Sequence, residues 1–183
     1  MKKYNIAVLG ATGAVGQELM GILREREFPI KSLKPLASAR SAGRVIEVDG
    51  ERLVVEEATS ESFTDVDLAF FTAGGSISQA FVGAARDKGT VVIDNTSAFR
   101  LDPEVPLVVP EVNGEDLAWH KGLIANPNCS TTIGVMALAP LHARAGIKRV
   151  VVSTYQAVSG IGAAAIDDLH HQVEQYIQGQ PIT

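Results

Sequence analysis

The run Asn5-Ile6-Ala7-Val8-Leu9-Gly10-Ala11-Thr12-Gly13-Ala14-Val15-Gly16 decides the fold. Residues 5–9 are a short apolar, β-rich run, the pattern of a buried strand. A glycine-rich turn follows at once, and residues 17–27 then carry Leu19, Met20, Ile22 and Leu23 at helical spacing. Strand, glycine-rich turn and helix in that order are the context a dinucleotide site requires. The glycines let the backbone turn tightly and approach a pyrophosphate, and the helix N-terminus offers that anion amides and a positive dipole. The spacing is G-x-x-G-x-x-G rather than G-x-G-x-x-G, so a plain strand-to-helix turn competes as the reading of this motif alone. No Gly-Lys-Ser/Thr follows, which excludes a P-loop.

The second strand is predicted over residues 32–37. An NAD-binding fold usually carries an acid at that strand's tip for the ribose 2′-hydroxyl. Here no Asp or Glu occurs between Glu27 and Glu47, and the tip reads Ser38-Ala39-Arg40-Ser41. An arginine flanked by hydroxyls suits a 2′-phosphate, which points to NADP; the competing reading is a solvated loop arginine. Asp49-Gly50 between the β-runs 45–48 and 53–55 predicts a hairpin of structural purpose. Residues 66–72 read as a buried strand ending in Ala73-Gly74-Gly75, small residues against which a cofactor can lie. A helix capped by Ser76 is predicted to run to about residue 88, stopped by Gly89, and residues 90–94 form the next strand. Alternating strands and helices mean an α/β protein with a doubly wound, Rossmann-type parallel sheet. Ligands in such sheets sit at the carboxyl ends of the strands, where Gly10, Ser38, Gly74, Asn95 and Cys129 all fall.

Asn126-Pro127-Asn128-Cys129-Ser130-Thr131-Thr132 holds the only cysteine. Residues 122–125 read as a strand and residues 133–141 as a helix, so Cys129 sits at a strand-to-helix junction. Unpaired first-turn amides and the helix dipole favour negative charge there, a setting for a thiolate nucleophile toward carbonyl carbon. The other reading is a small buried hydrophobe, but Pro, Asn, Ser and Thr around it suit a turn and helix cap. Upstream, Asn95-Thr96-Ser97-Ala98-Phe99-Arg100 opens a proline-punctuated loop; Arg100 either grips phosphate or carboxylate or is a surface arginine. A short strand is expected at 107–109, and Trp119 is expected to pack a connecting helix. Residues 147–158 read as a long strand with Tyr155 and Gln156 near its far end. Gln156 either hydrogen-bonds a polar substrate or is structural. Residues 162–178 form an amphipathic helix; His170 and His171 are adjacent on it and point apart, so with His120 and His142 they read as surface or packing residues, not metal ligands.

The composition bounds the function. The chain has 183 residues, 46% hydrophobic and 20% charged, ordinary for a soluble globular protein. A formal net charge of -5 gives no basic footprint for nucleic acid. A single cysteine excludes an internal disulfide framework and suits a reducing cytoplasm. The apolar run behind Lys2 and Lys3 is too short for a signal segment or a membrane span.

Taken together, the motifs closely resemble the aspartate-semialdehyde dehydrogenase family. The matching stretches are residues 10–16, Ser38-Ala39-Arg40-Ser41, residues 95–100, Val109-Pro110-Glu111-Val112-Asn113, residues 126–131 and Gln156-Ala157-Val158-Ser159-Gly160, in the family's order. The resemblance implies that Cys129 is the acyl-thioester nucleophile and that Gln156 orients the substrate. It implies that Arg100, with Asn128 nearby, binds phosphate, and that Thr12, Gly13, Ala14, Val15, Arg40, Ser41, Ser159 and Gly160 contact NADP. With Gly10, Ser38, Ala73 and Gly74 from the glycine turn and strand tips, these make up the expected cofactor site. The implied reaction interconverts 4-aspartyl phosphate and L-aspartate 4-semialdehyde, in lysine, methionine and threonine biosynthesis. Residues 1–128 would be the NADP-binding domain, and 129–183 the beginning of an α+β catalytic and dimerisation domain. Family members are about twice as long, so the chain reads as an N-terminal part lacking the acid/base histidine and the carboxylate-binding arginine, inactive alone and homodimeric when intact. N-acetyl-glutamyl-phosphate reductase shares the glycine motif and cysteine chemistry, and a non-catalytic NADP-binding module is the alternative of another class. A short-chain dehydrogenase would need Tyr-x-x-x-Lys, which Tyr4, Tyr155 and Tyr176 do not open.

Overall fold

The computed structural model describes residues 2–182. Strand β1 (Tyr4–Leu9) leads through the glycine turn into helix α1 (Ala14–Glu25), and the chain returns as β2 (Ile30–Ala37). The hairpin β3 (Val45–Val48) and β4 (Glu51–Val54) and the two-residue β5 (Glu56–Glu57) follow. Then come β6 (Leu68–Phe71), α2 (Gly75–Asp87), β7 (Val91–Asp94), the single turn α3 (Pro110–Asn113), β8 (Leu123–Ala125), α4 (Cys129–Ala145) and α5 (Ala163–Ile177).

Six strands form a sheet in the order β5-β2-β1-β6-β7-β8, all pairs parallel. From β1 the chain crosses to β2 on one side and, later, to β6 on the other. The strand order therefore reverses at β1, and the crevice above its carboxyl end is the place where ligands bind in such sheets. Both faces of the sheet are covered, so Ile6, Ala7, Val8 and Leu9 are buried in succession. Ala7, Leu9, Leu36, Ala69, Phe71 and Val92 join a core with Phe63 and with Val82 and Ala85 of α2. Ile6 and Val8 point the other way, packing with Met20 and Leu23 of α1 and with the hairpin through Val48, Ile46 and Leu53. The hairpin is antiparallel with Val48 opposite Glu51, and Asp49 and Gly50 both take positive φ (50° and 77°), the turn that matches strand twist. Arg24 of α1 ties to it through an ion pair with Glu51.

The glycine turn is tight enough to be tested. Gly10 N and Ala11 N both donate to Leu36 O, at 2.9 and 3.1 Å, and Gly13 N donates to Gly10 O at 3.0 Å. A β-carbon on Gly16 would lie 2.3 Å from Gly10 O and 2.9 Å from the Ala11 Cα, both backbone atoms. Gly16→Ala is therefore expected to lower stability by roughly 1–3 kcal/mol, the usual cost of forced overpacking. An unchanged urea midpoint would mean that α1 and the turn separate freely.

A second contact makes a prediction about pH. Asp67 Oδ2 accepts the Asn5 backbone N–H at 2.8 Å, stitching the start of β1 to the turn before β6. That hydrogen bond, aided by Lys2, holds the Asp67 carboxyl below the ordinary aspartate range. The folded value is the lower one, so the contribution is present above the unfolded value and is lost as pH falls through the folded one, below about pH 4. Asp67→Asn should flatten the acid limb of a melting-temperature profile and leave its shape near pH 7 unchanged; an identical acid limb would exclude this contact as a contributor.

Three local expectations change. Residues 147–157 form no strand, and Val151 and Tyr155 are 80% and 99% exposed. The run has β-rich residues, but among the described residues no strand lies alongside to accept its hydrogen bonds, and a ladder cannot form from one side alone. Residues 107–109 make only the bridge from Leu107 to Ala125, with Val108 N donating to Ala125 O at 3.0 Å. The helix expected to be capped by Ser76 starts two residues earlier, at Gly75, and Gly74 stands at its cap with no side-chain cap hydrogen bond. Trp119 closes a short 3-10 helix (Gly114–Trp119), half exposed, its Nε1 donating to Asp116 Oδ1 at 3.2 Å.

Candidate active site

The carboxyl ends of β1, β2, β6, β7 and β8 line two cavities that share Thr72. Gly10, Thr12, Gly13, Ser38, Arg40 and Ser41 line one cavity of about 510 Å³, with Ala73 and Thr72 on its far wall. Among the described residues no side chain caps α1, which leaves its first-turn amides open to an outside acceptor. Arg40 is exposed, and among the described residues no ion pair engages it. Gly74 stands next to Ala73 at the start of α2 but does not itself line the cavity.

Among the residues of this cavity that sequence reading missed, one is charged. Glu57 lines it too, because β5 pairs with the tip of β2 with Glu57 opposite Ala37. The acid that the tip of β2 lacks is thus brought in by a neighbouring strand. Nothing local to Glu57 signals this; only the strand pairing does.

Thr72 also lines a second cavity, of about 630 Å³, which Ala14, Val15, Asn95, Asn126, Ser159 and Gly160 share. Through Gly160 it adjoins the predicted thiol and amide. Cys129 is the first residue of α4 and is exposed. Gln156, 27 residues on, brings its Nε2 to 3.3 Å from Cys129 Sγ. A β-carbon on Gly160 would lie 2.2 Å from that Gln156 Nε2, so the glycine leaves room for the amide to reach the sulfur. Asn128 caps α4, its Oδ1 accepting Ser130 N–H at 3.0 Å. Arg100 is partly buried and held by two carbonyls: Nε donates to Asn126 O at 2.8 Å and Nη2 to Asn95 O at 3.0 Å. So the structure brings Cys129 and Gln156 together, ties Arg100 to the segment leading into Cys129, and employs the Asn128 carbonyl oxygen in a cap. Among the described residues no His, Cys, Asp and Glu side chains gather in threes as a metal site would need, and no helix is long and apolar enough to cross a membrane.

The family model described as "Semialdehyde dehydrogenase, NAD binding domain" matches residues 5–120. The chain belongs to the semialdehyde dehydrogenase family. That family's dimerisation-domain model matches residues 138–183. A Prochlorococcus marinus protein named aspartate-semialdehyde dehydrogenase is 52% identical over 178 residues, covering 97% of this chain and 52% of that protein. The crystal structure of aspartate semialdehyde dehydrogenase II complexed with ASA from Vibrio cholerae superposes with a TM-score of 0.95 at 44% identity, covering 100% of this chain and 55% of that one. A more distant structure, aspartate semialdehyde dehydrogenase with NADP from Candida albicans, has a TM-score of 0.68 at 27% identity, covering 80% of this chain and 48% of that one. The chain thus spans about half the length of the curated relatives it matches. The family assignment makes a nicotinamide dinucleotide the cofactor class of the first domain, and the matches do not favour the acetylglutamyl-phosphate reductase alternative.

Proposed function

We propose that this chain supplies the nucleotide site and the thiol nucleophile of an NADP-dependent aspartate-semialdehyde dehydrogenase, working in lysine, methionine and threonine biosynthesis. The observation that carries the reading is the Gln156 amide 3.3 Å from the Cys129 sulfur and packed against Gly160, which lines the cavity at the start of α1. The residues present fit the cofactor: Gly10 and Gly16 let the turn close tightly against its own backbone and the tip of β6, α1 offers uncapped amides to a pyrophosphate, and Arg40 with Ser38 and Ser41 suits a 2′-phosphate. When bound, the nicotinamide supplies the hydride.

In the reductive direction Cys129 Sγ attacks the acyl carbon of 4-aspartyl phosphate. The carbon–oxygen bond to phosphate breaks, phosphate leaves with the electron pair, and a thioester remains on Cys129. Gln156 donates a hydrogen bond to the oxygen on that carbon, and Arg100, with Asn128 nearby, receives the departing phosphate. After reduction the thiohemiacetal collapses to L-aspartate 4-semialdehyde and frees the thiol. The reverse direction starts with the thiol adding to the aldehyde and ends with phosphate cleaving the thioester. The same proposal puts a domain boundary between Asn128 and Cys129, the intact enzyme in the cytoplasm, and a homodimer built on the second domain.

The test is a thermal melt of the chain with NADP+ and with NAD+. Ligand at about 100 times its dissociation constant stabilises by ~2.7 kcal/mol. NADP+ should raise the midpoint more than NAD+ does. A cooperative melt that neither nucleotide moves would remove the cofactor reading for this chain.

A further inference from the structure

Asp94 closes β7, and its side chain is fully buried (0% exposed). Its carboxylate accepts from Ser78 Oγ of α2, from the Thr96 N–H and from Thr96 Oγ1, each at 2.9 Å. Thr96 Oγ1 in turn accepts the Ala98 N–H at 3.2 Å. Ser78 and Thr96 are themselves 1% and 9% exposed. Burying a carboxylate is costly even with partners, and apolar side chains of similar volume often serve stability as well. What these bonds do determine is a path: the carboxylate accepting the amide two residues on makes an Asx-type turn, and the loop leaves β7 in one direction.

That loop carries Asn95 and Arg100. Asn95 O and Asn126 O are the two carbonyls that hold the Arg100 guanidinium. Asn126 is coupled to the same strand tip twice over, its N–H donating to Asp94 O at 2.8 Å and its Nδ2 to Asn95 Oδ1 at 2.5 Å. Both carbonyls therefore depend on where Asp94 anchors the tip of β7. The Asp94 carboxylate itself is turned to α2, whereas Asn95 lines the cavity beside Cys129, so the acid works through the backbone and sets no negative charge against a bound anion.

We propose that Asp94, with Ser78 and Thr96, is a positioning residue that aims Arg100 at an oxyanion beside Cys129. The proposal rests on reading Arg100 as the phosphate ligand, and the experiment separates the two. The thiol is alkylated with iodoacetate, an anion, and with iodoacetamide, its neutral counterpart, and the rate ratio is compared with that of 2-mercaptoethanol. The wild-type ratio should stand several-fold above the free thiol's and fall to it in Arg100→Ala. Asp94→Asn and Thr96→Val should lower the ratio toward the Arg100→Ala value while the iodoacetamide rate holds. In an Arg100→Ala background Asp94→Asn should lower it no further, the mark of two residues acting through one interaction. If Asp94→Asn does not melt cooperatively, Thr96→Val decides alone. An unchanged ratio in folded variants, or both rates moving together, overturns the positioning role and leaves Arg100 as read. A wild-type ratio equal to the free thiol's overturns the Arg100 reading and this proposal with it.

Discussion

Cys129→Ser should reduce turnover of the full-length protein by at least ~10⁴-fold, the scale on which removal of a covalent nucleophile falls. The chemistry of the thiol explains the size. Sulfur is intrinsically a strong nucleophile at neutral pH, while a serine hydroxyl needs an adjacent base to act. Among the described residues the partner at the sulfur is the Gln156 amide, which is not a base. Serine is nearly isosteric, and Cys129 is exposed on a helix that buries none of its side chains, so the fold should be indifferent. The expected result is a protein with an unaltered melt and an unaltered NADP+ shift, no steady-state reduction of the acyl phosphate, and no thioester trapped by hydroxylamine. Activity within about tenfold of wild type would rule the thiol out as nucleophile, since a change of that size is only 1.4 kcal/mol in barrier height.

The nucleotide-binding half was legible because its signals are local. An apolar run, a glycine turn and a helical period lie within residues 5–27, and Asp49-Gly50 specifies its hairpin within a few residues. What sequence missed depends on a partner far away in the chain. Residues 147–158 have the composition of a strand, but β propensity records fitness for a pleated, half-buried surface, and no neighbouring strand supplies one. Glu57 reads as one of several acids after a hairpin until β5 pairs with β2 and carries it to the tip that lacks an acid. Asp94 reads as the polar end of an apolar run; one of its three hydrogen bonds comes from Ser78, in a helix that begins 19 residues earlier. Cys129 and Gln156 were both named from motifs, and only the folded chain brings the amide to the sulfur.

Arg40→Ala should weaken NADP+ binding by roughly 10- to 150-fold, from the ~1.5–3 kcal/mol carried by a hydrogen bond to a charged group. NAD+ binding should barely change, because that nucleotide lacks the 2′-phosphate. The geometry favours a large value. Arg40 has no ion-pair partner among the described residues, so its charge is not already compensated, and Ser38 and Ser41 line the same cavity as further hydrogen-bonding groups. Its exposure works against this, since solvent screens the interaction and should make it decline with added salt. Glu57, across the same cavity, gives the substitution a second consequence. With the arginine gone, the remaining charged group there is an acid, which repels a phosphate and accepts from a ribose hydroxyl, so preference should move toward NAD+. Titration calorimetry of both nucleotides against wild type and Arg40→Ala measures this directly. An equal loss for the two would show that Arg40 supports the loop at residues 38–41 and does not read the phosphate.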